Sequence, residues 1–259
     1  MPELIEIEFY RQAAATTVGR RIATVTAPDA WYLKGGLDAR ALAEVTTGAV
    51  IEAARRHGKV LLLDLADRPT LGLRFGMTGR LVVDGGSTVE QLEYSSNRQD
   101  PAWDRVGFTF DDGGEMHISD PRRLGGVELD PDLSRLGPDA STITPAALRR
   151  SIDGPVALKA RLLDQSRIAG IGNLIADDTL WRASLSPRRA GSSLDDRELR
   201  RLSSSIRASI MELTSAGGSH TGALQALRAG GAPCPRCGGL LDRITVGGRT
   251  TLWCPAHQR

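Results

Sequence analysis

The chain has 259 residues, a formal net charge of +2, 41% hydrophobic residues and three cysteines. This length allows a substantial buried core and predicts two domains. No apolar stretch is long enough to span a membrane, and the N-terminus lacks the apolar core of a signal peptide, so we expect a soluble, cytoplasmic protein without a membrane partner.

Charge is distributed unevenly along the chain. Residues 1–133 carry 15 basic and 21 acidic side chains, whereas residues 134–259 carry 18 basic and 10 acidic ones. A basic half is where a polyanion would bind, although a solvated arginine-rich surface has the same composition. The charge pattern therefore favours a nucleic-acid partner only in combination with other signals.

The first half combines one N-terminal helix with short apolar segments. Apolar residues at helical spacing predict a helix over residues 3–17, which ends near Gly19. The segments that follow are rich in Val, Leu, Ile and Phe and are separated by Gly, Asp and Pro, as in an antiparallel sandwich or barrel. We predict strands at Ile22–Thr26, Val60–Leu65, Leu71–Phe75, Arg80–Val83, Gly107–Phe110 and Glu115–Ser119.

The second half is predicted to be helical before it reaches the cysteines. Around Pro131–Pro145 the composition shifts to Pro, Asp, Ser and Gly, which indicates a hinge, and Gly217–Gly231 forms a second Gly-rich run. We expect three domains, at residues 1–133, 134–227 and 228–259. The helical patterns cover Pro145–Ile152, Pro155–Gln165, Leu174–Ala183 and Leu194–Ser215.

A tight turn between two helical segments contains Gly170, Gly172 and Asn173. Glycine adopts backbone conformations closed to other residues and places no side chain between the backbone and a neighbour. Asn173 is a good N-cap for a helix that starts at Leu174, and the free N–H groups of a helix start can bind phosphate. Many helical hairpins carry such glycines and bind nothing, so this turn alone leaves phosphate binding open.

The cysteines form a metal-ligand pattern and not a disulfide framework. Two residues separate Cys234 from Cys237 and Cys254 from His257, and sixteen residues separate the two pairs. Four ligands in two such pairs give the tetrahedral site that zinc prefers. Val246-Gly247-Gly248 between the pairs is a hairpin signal, which places Arg249 at the tip. We expect a structural zinc ribbon, with a metal-free hairpin as the alternative.

Several separated segments share the motif order of one enzyme family. They are Met1-Pro2-Glu3-Leu4, Lys59 in RRHGKVLLLDL, Met77 in RFGMTGRL, Arg122-Arg123 in SDPRRLGG, LLDQSRIAGIGNLIADDTLW, and the cysteine segment. Together they cover nearly the whole chain and resemble the formamidopyrimidine-DNA glycosylase/endonuclease VIII family of base-excision repair enzymes. The resemblance implies an α+β protein with an N-terminal β-sandwich, a helix–two-turns–helix domain and a zinc ribbon. It also implies a monomer that binds damaged double-stranded DNA in the cleft between the domains.

The resemblance implies covalent chemistry at the N-terminus. Removal of Met1 would expose Pro2 as a secondary amine, which is a nucleophile when it is neutral. The positive end of the first helix, with Lys59 nearby in the family arrangement, disfavours the protonated amine. Attack of Pro2 on C1′ expels the damaged base, and the resulting iminium drives β-elimination, which δ-elimination can follow. Glu3 is then the proton-transfer group, and Lys59 holds phosphate or the leaving base.

Each of these residues also has an ordinary structural interpretation. Pro2 is common at a helix start, and Lys59 could be a solvated lysine at the edge of a strand. A methionine such as Met77 is more often part of a core, and arginine pairs such as Arg122 and Arg123 are usually solvated. Only their place in the resemblance favours a function.

The resemblance also implies which residues contact DNA. Met77 and Arg122, with Leu124, fill the space of the flipped nucleotide and read the opposite base. Arg249 contacts phosphate beside the lesion, and Arg123 and Asn173 are the remaining predicted DNA contacts.

This chain departs from the family at several positions. Leu124 stands where many members have phenylalanine, which weakens the stacking part of the wedge, and Arg74 replaces a common histidine. Asp178 replaces the more usual glutamate, and the fourth metal ligand, His257, is more often cysteine. The segment Gly217–Pro233 lacks the longer loop that covers 8-oxoguanine. We therefore expect oxidised pyrimidines, ring-opened purines, hydantoins or abasic sites as preferred substrates.

Two functions of different classes remain open at this point. The first is a bifunctional DNA glycosylase and abasic-site lyase, and the second is a catalytically weak protein that binds DNA damage and keeps the fold and zinc. The presence of Pro2, Glu3 and Lys59 favours the enzyme, since a binding protein needs none of them. DNA affinity should fall steeply with salt in both cases, because phosphate contacts dominate it.

Overall fold

The computed structural model describes residues 2–89, 92, 98, 100–228 and 230–259. It divides into two compact units, residues 1–133 and residues 134–259. Met1, and with it the predicted removal of that residue, lies outside the described residues. Within the described part of the chain, no helix combines the length and the apolar character that crossing a membrane requires.

The first unit is a sandwich of two four-stranded antiparallel sheets preceded by a helix. One sheet has the strand order β1-β6-β7-β5 and the other has the order β2-β3-β4-β8. The predicted helix and all six predicted strands are present, and α2, β2 and β8 are additional. The elements are α1 (Leu4–Ala15), β1 (Ile22–Thr26), α2 (Ala39–Thr46), β2 (Ile51–His57), β3 (Val60–Leu65), β4 (Leu71–Arg74), β5 (Arg80–Val83), β6 (Asp104–Phe110), β7 (Glu115–Ser119) and β8 (Gly126–Leu129).

Helix α1 is anchored on the sandwich by its apolar face. Tyr10 is fully buried, its ring lies 4.5 Å from that of Phe75, and its hydroxyl donates a hydrogen bond of 3.1 Å to the carbonyl of Gly79. Burial raises the pKa of Tyr10, so its hydroxyl stays a donor at neutral pH. Because Phe75 and Gly79 flank the β4–β5 loop, this packing fixes the helix beside that loop.

The described residues of the second unit form four α-helices, short 3-10 turns and a β-hairpin. Helix α6 starts with a capping box between Asp195 and Glu198, and Thr144 caps helix α3. The predicted hairpin is present, with Gly247 and Gly248 in its turn at φ values of +57° and +71°. The elements are α3 (Pro145–Ile152), α4 (Leu158–Leu163), α5 (Asn173–Ala183), α6 (Asp196–Ser215), β9 (Asp242–Val246) and β10 (Arg249–Trp253).

The predicted N-cap of helix α5 is wrong. Gly172 is the cap, with an extended backbone, and Asn173 is the first helical residue. The turn is held instead by Gln165, whose amide oxygen accepts the N–H of Gly170 and whose amide nitrogen donates to the carbonyl of Ile171, both at 2.9 Å. The φ of Gly170 is +107°, so this position does require glycine.

A buried ion pair joins helices α4 and α5 to strand β10. Lys159 is 0% exposed and Asp177 is 2% exposed, and the ammonium lies 2.6 Å from Oδ1 of Asp177. The same ammonium donates to the hydroxyl of Thr251 at 2.7 Å and to the carbonyl of Thr250 at 3.0 Å. Burial raises the pKa of Asp177, and the charge of Lys159 opposes that rise. The hairpin is thus fixed to the helices by a charge-assisted network.

Replacing Asp177 by alanine is expected to lower the free energy of unfolding by about 3–5 kcal/mol, because Lys159 is left as an uncompensated buried charge. The double variant Lys159→Met/Asp177→Leu should recover most of that loss, since it removes both fully buried charges. Arg228, which lies 3.5 Å from Asp177, is partly exposed to water. Urea denaturation of both variants checks this, with the exposed Asp242→Ala as the matched control. Equal stability of Asp177→Ala and the control would contradict the prediction.

Candidate functional site

A small cavity in the first unit brings together residues that are distant in the sequence. It has a volume of about 210 Å³ and is lined by Pro2, Ile7, Lys59, Arg74, Phe75, Gly76 and Leu124. Two of the predicted catalytic residues, Pro2 and Lys59, therefore share one cavity wall. A larger cavity of about 570 Å³ lies over the β1-β6-β7-β5 sheet. We assign the candidate site to the smaller cavity, because Pro2 and Lys59 line it and neither of them lines the larger one.

The start of helix α1 holds Pro2 and Glu3 in buried positions. Glu3 is 1% exposed, and its backbone N–H donates a 2.7 Å hydrogen bond to Oε2 of Glu6. The two glutamates form a capping box, which satisfies backbone donors at the helix start. Pro2 therefore lies at the positive end of the helix dipole, next to a carboxylate with a fixed position.

Lys59 lies in the two-residue turn between strands β2 and β3. Gly58 precedes it with a φ of +56°, and His57 pairs with Val60 across the turn. Arg56 orders the turn by donating to the carbonyl of Gly58 at 3.0 Å, and its guanidinium lies 3.3 Å from a carboxylate oxygen of Glu8 in helix α1. This pair ties the turn to the helix that carries Pro2.

Arg74 adds a guanidinium to the cavity wall that Lys59 also lines. It ends strand β4, and its Nε donates to Oε1 of Glu128 in strand β8 at 2.8 Å. The ion pair holds the guanidinium against the sheet while its side chain stays 40% exposed. From the sequence alone, Arg74 is notable only because it replaces a histidine that is common in the family.

The predicted wedge residues lie in two loops. Met77 is half-buried in the β4–β5 loop, residues 75–79, and Arg122 and Leu124 are exposed in the β7–β8 loop, residues 120–125. Leu124 is 52% exposed and also lines the cavity, so it belongs both to the cavity wall and to the predicted wedge.

Arg123 is exposed like its neighbour Arg122, but its guanidinium is held in an ion pair with Asp29. Its φ is +56°, and its Nε and one NH₂ group donate to the two carboxylate oxygens of Asp29 at 2.6 and 2.7 Å. The Arg123 guanidinium holds the pKa of Asp29 below its usual range. Only the remaining guanidinium edge of Arg123 faces away from this bidentate pair.

The second unit carries the other two predicted DNA contacts. The Oδ1 atom of Asn173, at the start of helix α5, is buried and has no hydrogen-bond partner among the described residues. Arg249 is exposed at the first position of strand β10. The neighbouring turn is held against helix α4, since a Cβ added to Gly247 would lie 2.9 Å from that of Ala160. Arg249 therefore projects from a supported hairpin.

The four predicted zinc ligands form one cluster. The Sγ atoms of Cys234, Cys237 and Cys254 and one ring nitrogen of His257 all lie within 4.8 Å of one another. Nδ1 of His257 lies 3.3 Å from the sulfur of Cys237 and 3.8 Å from that of Cys234, so Nδ1 is the nitrogen that faces the sulfurs. Burial lowers the pKa of His257, which favours the neutral, metal-binding form. Three thiols and an imidazole at this spacing fit tetrahedral zinc.

Helix α5 supports this cluster from one side. Nε1 of Trp181 donates to the sulfur of Cys234 at 3.3 Å. Burial by itself raises the pKa of Cys234, but this donor and backbone N–H groups bring it down to about 7. Arg236 donates to the carbonyl of Arg182 and to the hydroxyl of Ser184, both at 3.0 Å, and so covers the end of the helix. These contacts fix the metal cluster to helix α5.

Replacing Trp181 by phenylalanine is expected to weaken zinc binding about 10–100-fold, because the N–H donor to the ligand sulfur is lost. Competition between the protein and a chromogenic chelator measures the affinity. Trp31→Phe is the matched control, since Trp31 is 67% exposed and lies in the other unit. Equal affinities for the two variants would show that the Trp181–Cys234 hydrogen bond does not support the metal.

Three known domain families together match most of the chain. Residues 1–127 match the formamidopyrimidine-DNA glycosylase N-terminal domain, and residues 136–223 match the formamidopyrimidine-DNA glycosylase H2TH domain. Residues 231–256 match the zinc finger found in FPG and IleRS. The class defined by fold and site is therefore that of the zinc-containing, DNA-binding repair glycosylases. The predicted structural zinc is confirmed by this zinc finger and by the ligand cluster.

Individual relatives agree with the domain matches. Formamidopyrimidine-DNA glycosylase of Paracoccus denitrificans is 35% identical over 292 aligned residues, and that of Geobacillus kaustophilus is 33% identical over 285, with both chains covered in full. The solved complex between Lactococcus lactis FPG and a FAPY-dG containing DNA has a TM-score of 0.82 at 25% identity, covering 99% of this chain and 100% of that chain. A structure of MutM with carbocyclic 8-oxo-G containing DNA has the same TM-score at 26% identity, with full coverage.

The chain belongs to the formamidopyrimidine-DNA glycosylase family. The predicted family and the predicted α+β fold class are thus confirmed. Sequence reasoning did not assign a role to several supporting residues, although some of them lie within the quoted motifs. They are Asp29, Asp120, Gln165, Lys159, Asp177 and Trp181, whose partners are brought close only by the fold.

Proposed function

We propose that this protein is a bifunctional base-excision-repair enzyme, a DNA glycosylase that also cleaves the strand as an abasic-site lyase. The observation that carries the proposal is the shared cavity of Pro2 and Lys59. A proline at a chain start is chemically unremarkable on a surface. Beside a lysine, an arginine and a helix N-terminus, it is in the surroundings that keep an amine neutral.

The first step is displacement of the damaged base. Once Met1 is removed, the neutral nitrogen of Pro2 donates its electron pair to C1′ of the flipped nucleotide. The glycosidic bond breaks, and the base leaves with a proton. The proton lost by the Pro2 nitrogen leaves with the base. Glu3, whose carboxylate accepts the backbone N–H of Glu6, protonates O4′ as the C1′–O4′ bond breaks. The products are the free base and an iminium between Pro2 and C1′ of the opened sugar.

The second step is strand cleavage. The iminium withdraws electrons, so the C2′ proton becomes acidic and is removed by a base such as Glu3. The C3′–O bond then breaks, and the phosphate leaves with the electron pair. Hydrolysis of the conjugated iminium releases the amine of Pro2. Lys59 and Arg74 supply positive charge for the phosphate and the leaving base in this sequence.

DNA binding uses residues of both units. Met77, Arg122 and Leu124 fill the space that the flipped nucleotide leaves, and Arg123 offers its free edge to phosphate. Asn173 and Arg249 bind phosphate through the amide at the start of helix α5 and through the hairpin. The excess of basic residues in positions 134–259 supports this assignment. Damaged double-stranded DNA is therefore the proposed partner, bound by a monomer.

The proposed substrates are ring-opened purines, oxidised pyrimidines, hydantoins and abasic sites in preference to 8-oxoguanine. The short segment Gly217–Pro233 supports this preference. The solved complex of Lactococcus lactis FPG with FAPY-dG containing DNA supports ring-opened purines as substrates, and the MutM structure with carbocyclic 8-oxo-G makes 8-oxoguanine the lesion to compare them with. Comparing single-turnover strand cleavage at each lesion in one duplex context ranks the substrates directly.

Borohydride trapping tests the proposed chemistry. Protein incubated with an abasic-site duplex and borohydride should form a covalent adduct, and Pro2→Gly should slow adduct formation about 100-fold or more, since it alters the nucleophile. Pro28→Gly is the control, because Pro28 is exposed and does not line the cavity. Intact-mass analysis of the free protein establishes whether Met1 is absent.

The second candidate function, a DNA-damage-binding protein, gives a different result in the same experiment. A trimmed, zinc-loaded protein that binds the abasic duplex and forms no adduct would overturn the enzyme proposal. The weakened wedge at Leu124 is the feature that favours this alternative, since a binding protein does not need to stabilise a flipped nucleotide through turnover.

Lys59→Met is expected to reduce base excision about 100-fold, because it removes a positive charge that stabilises the phosphate and the leaving base in the cavity. Single-turnover rates on a lesion duplex measure the effect. Lys34→Met is the matched control, since Lys34 lies over the exposed ring of Trp31 at 4.6 Å. A rate for Lys59→Met equal to that of the control would remove Lys59 from the mechanism.

A further inference from the structure

Asp120 is a buried carboxylate between the two wedge loops. It is 0% exposed and begins the β7–β8 loop, which carries Arg122 and Leu124. It does not line the cavity that contains Pro2. Its position is therefore close to the DNA-reading loops and separate from the proposed nucleophile.

Within its own loop, Asp120 binds backbone N–H groups with both carboxylate oxygens. Oδ1 accepts the N–H of Arg122 at 3.2 Å, and Oδ2 accepts the N–H groups of Leu124 and Gly125, both at 3.0 Å. Its backbone carbonyl accepts Nε of Arg105 at 2.8 Å. The carboxylate thus sets the course of the backbone while leaving the side chains of Arg122 and Leu124 exposed.

The same carboxylate reaches the other loop through Thr78. The hydroxyl of Thr78, which is 1% exposed and follows Met77 directly, donates to Oδ1 of Asp120 at 2.6 Å. A carboxylate suits this position because its two oxygens accept about four hydrogen bonds and need no donor in return. Hydrogen bonds to a charged acceptor are also stronger than neutral ones.

The two loops also meet directly at Gly76. Its φ is +57°, and an added Cβ would lie 2.7 Å from both the carbonyl oxygen of Leu124 and the nitrogen of Gly125. The two backbones therefore pack against each other, with the Thr78–Asp120 hydrogen bond as a second link. The relative position of the two loops is therefore fixed by two independent contacts.

We propose that Asp120, acting through Thr78, is a positioning residue that holds Met77 and Arg122 as one unit. This inference rests on the proposed function, in which these two side chains fill the vacated space and read the opposite base. The consequence is that discrimination between opposite bases depends on a carboxylate and a hydroxyl that touch no DNA. The amine chemistry at Pro2 does not depend on them.

The test compares Thr78→Val with Thr46→Val, a matched control in which a buried hydroxyl donating 2.8 Å to the carbonyl of Leu42 is removed. Borohydride trapping is measured on abasic duplexes with each of the four opposite bases, and on an abasic single strand. The single strand offers no opposite base and no space to fill. It therefore reports the nucleophile alone.

The expected result is that Thr78→Val slows trapping on the preferred duplex about tenfold, as the loss of one charge-assisted hydrogen bond predicts. The four opposite bases should become nearly equivalent substrates for this variant. Trapping on the single strand should stay within about twofold of wild type, since the nucleophile is unchanged. Asp120→Asn, which replaces an acceptor by a donor facing the N–H groups of the loop, should show the same pattern.

Opposite-base dependence that is unchanged in Thr78→Val would overturn the inference. Equal losses on the duplexes and the single strand would also overturn it, because they would indicate general damage to the fold. A 2-aminopurine placed opposite the abasic site reports insertion of the loops without turnover. If the wild-type protein forms no adduct, the proposed enzymatic function is wrong. The fluorescence experiment still tests the positioning role, which predicts a smaller change in Thr78→Val than in Thr46→Val.

Discussion

The proposed chemistry depends on the packing of helix α1 against the β-sandwich. A chain terminus is normally mobile, because few contacts fix it. Here the buried ring of Tyr10 and its hydrogen bond to Gly79 hold the helix, and the capping box of Glu3 and Glu6 orders its first turn. The residue before that turn, Pro2, can then share a cavity with Lys59, whose own turn is tied to helix α1 by Arg56.

In the second unit, a zinc cluster and a buried ion pair hold the C-terminal hairpin in place. The hairpin is too small to be stable alone, since two strands bury little apolar surface. A zinc cluster at one end and the buried Lys159–Asp177 pair beside strand β10 fix it to helices α4 and α5. Arg249 is consequently presented from a rigid support, with zinc in a structural role. The ion pair stabilises the fold only while both partners are present, because removing one of them leaves the other as an uncompensated buried charge.

Sequence reasoning is most successful where a pattern is local. Short segments rich in Val, Leu, Ile and Phe predict six of the eight strands of the sandwich, and two ligand pairs at fixed spacing predict the zinc centre. Each strand segment and each ligand pair is a signal that spans only a few residues. It fails where the relevant contact is made across the fold. Local sequence favours Asn173 as a cap although Gly172 fills that role, and the bidentate pairing of Arg123 with Asp29 joins residues 94 positions apart. Asp120 lies in the segment SDPRRLGG, but its link to Thr78, 42 positions earlier in the chain, is made only in the fold.

In the proposed mechanism, the nitrogen of Pro2 forms the covalent bond to DNA. Peptide mapping of the borohydride-reduced adduct by tandem mass spectrometry identifies the residue that carries the sugar. We expect the sugar remnant on a peptide that begins at Pro2, with Lys59 recovered unmodified. Attachment of the remnant to the side chain of Lys59, with Pro2 unmodified, would contradict it.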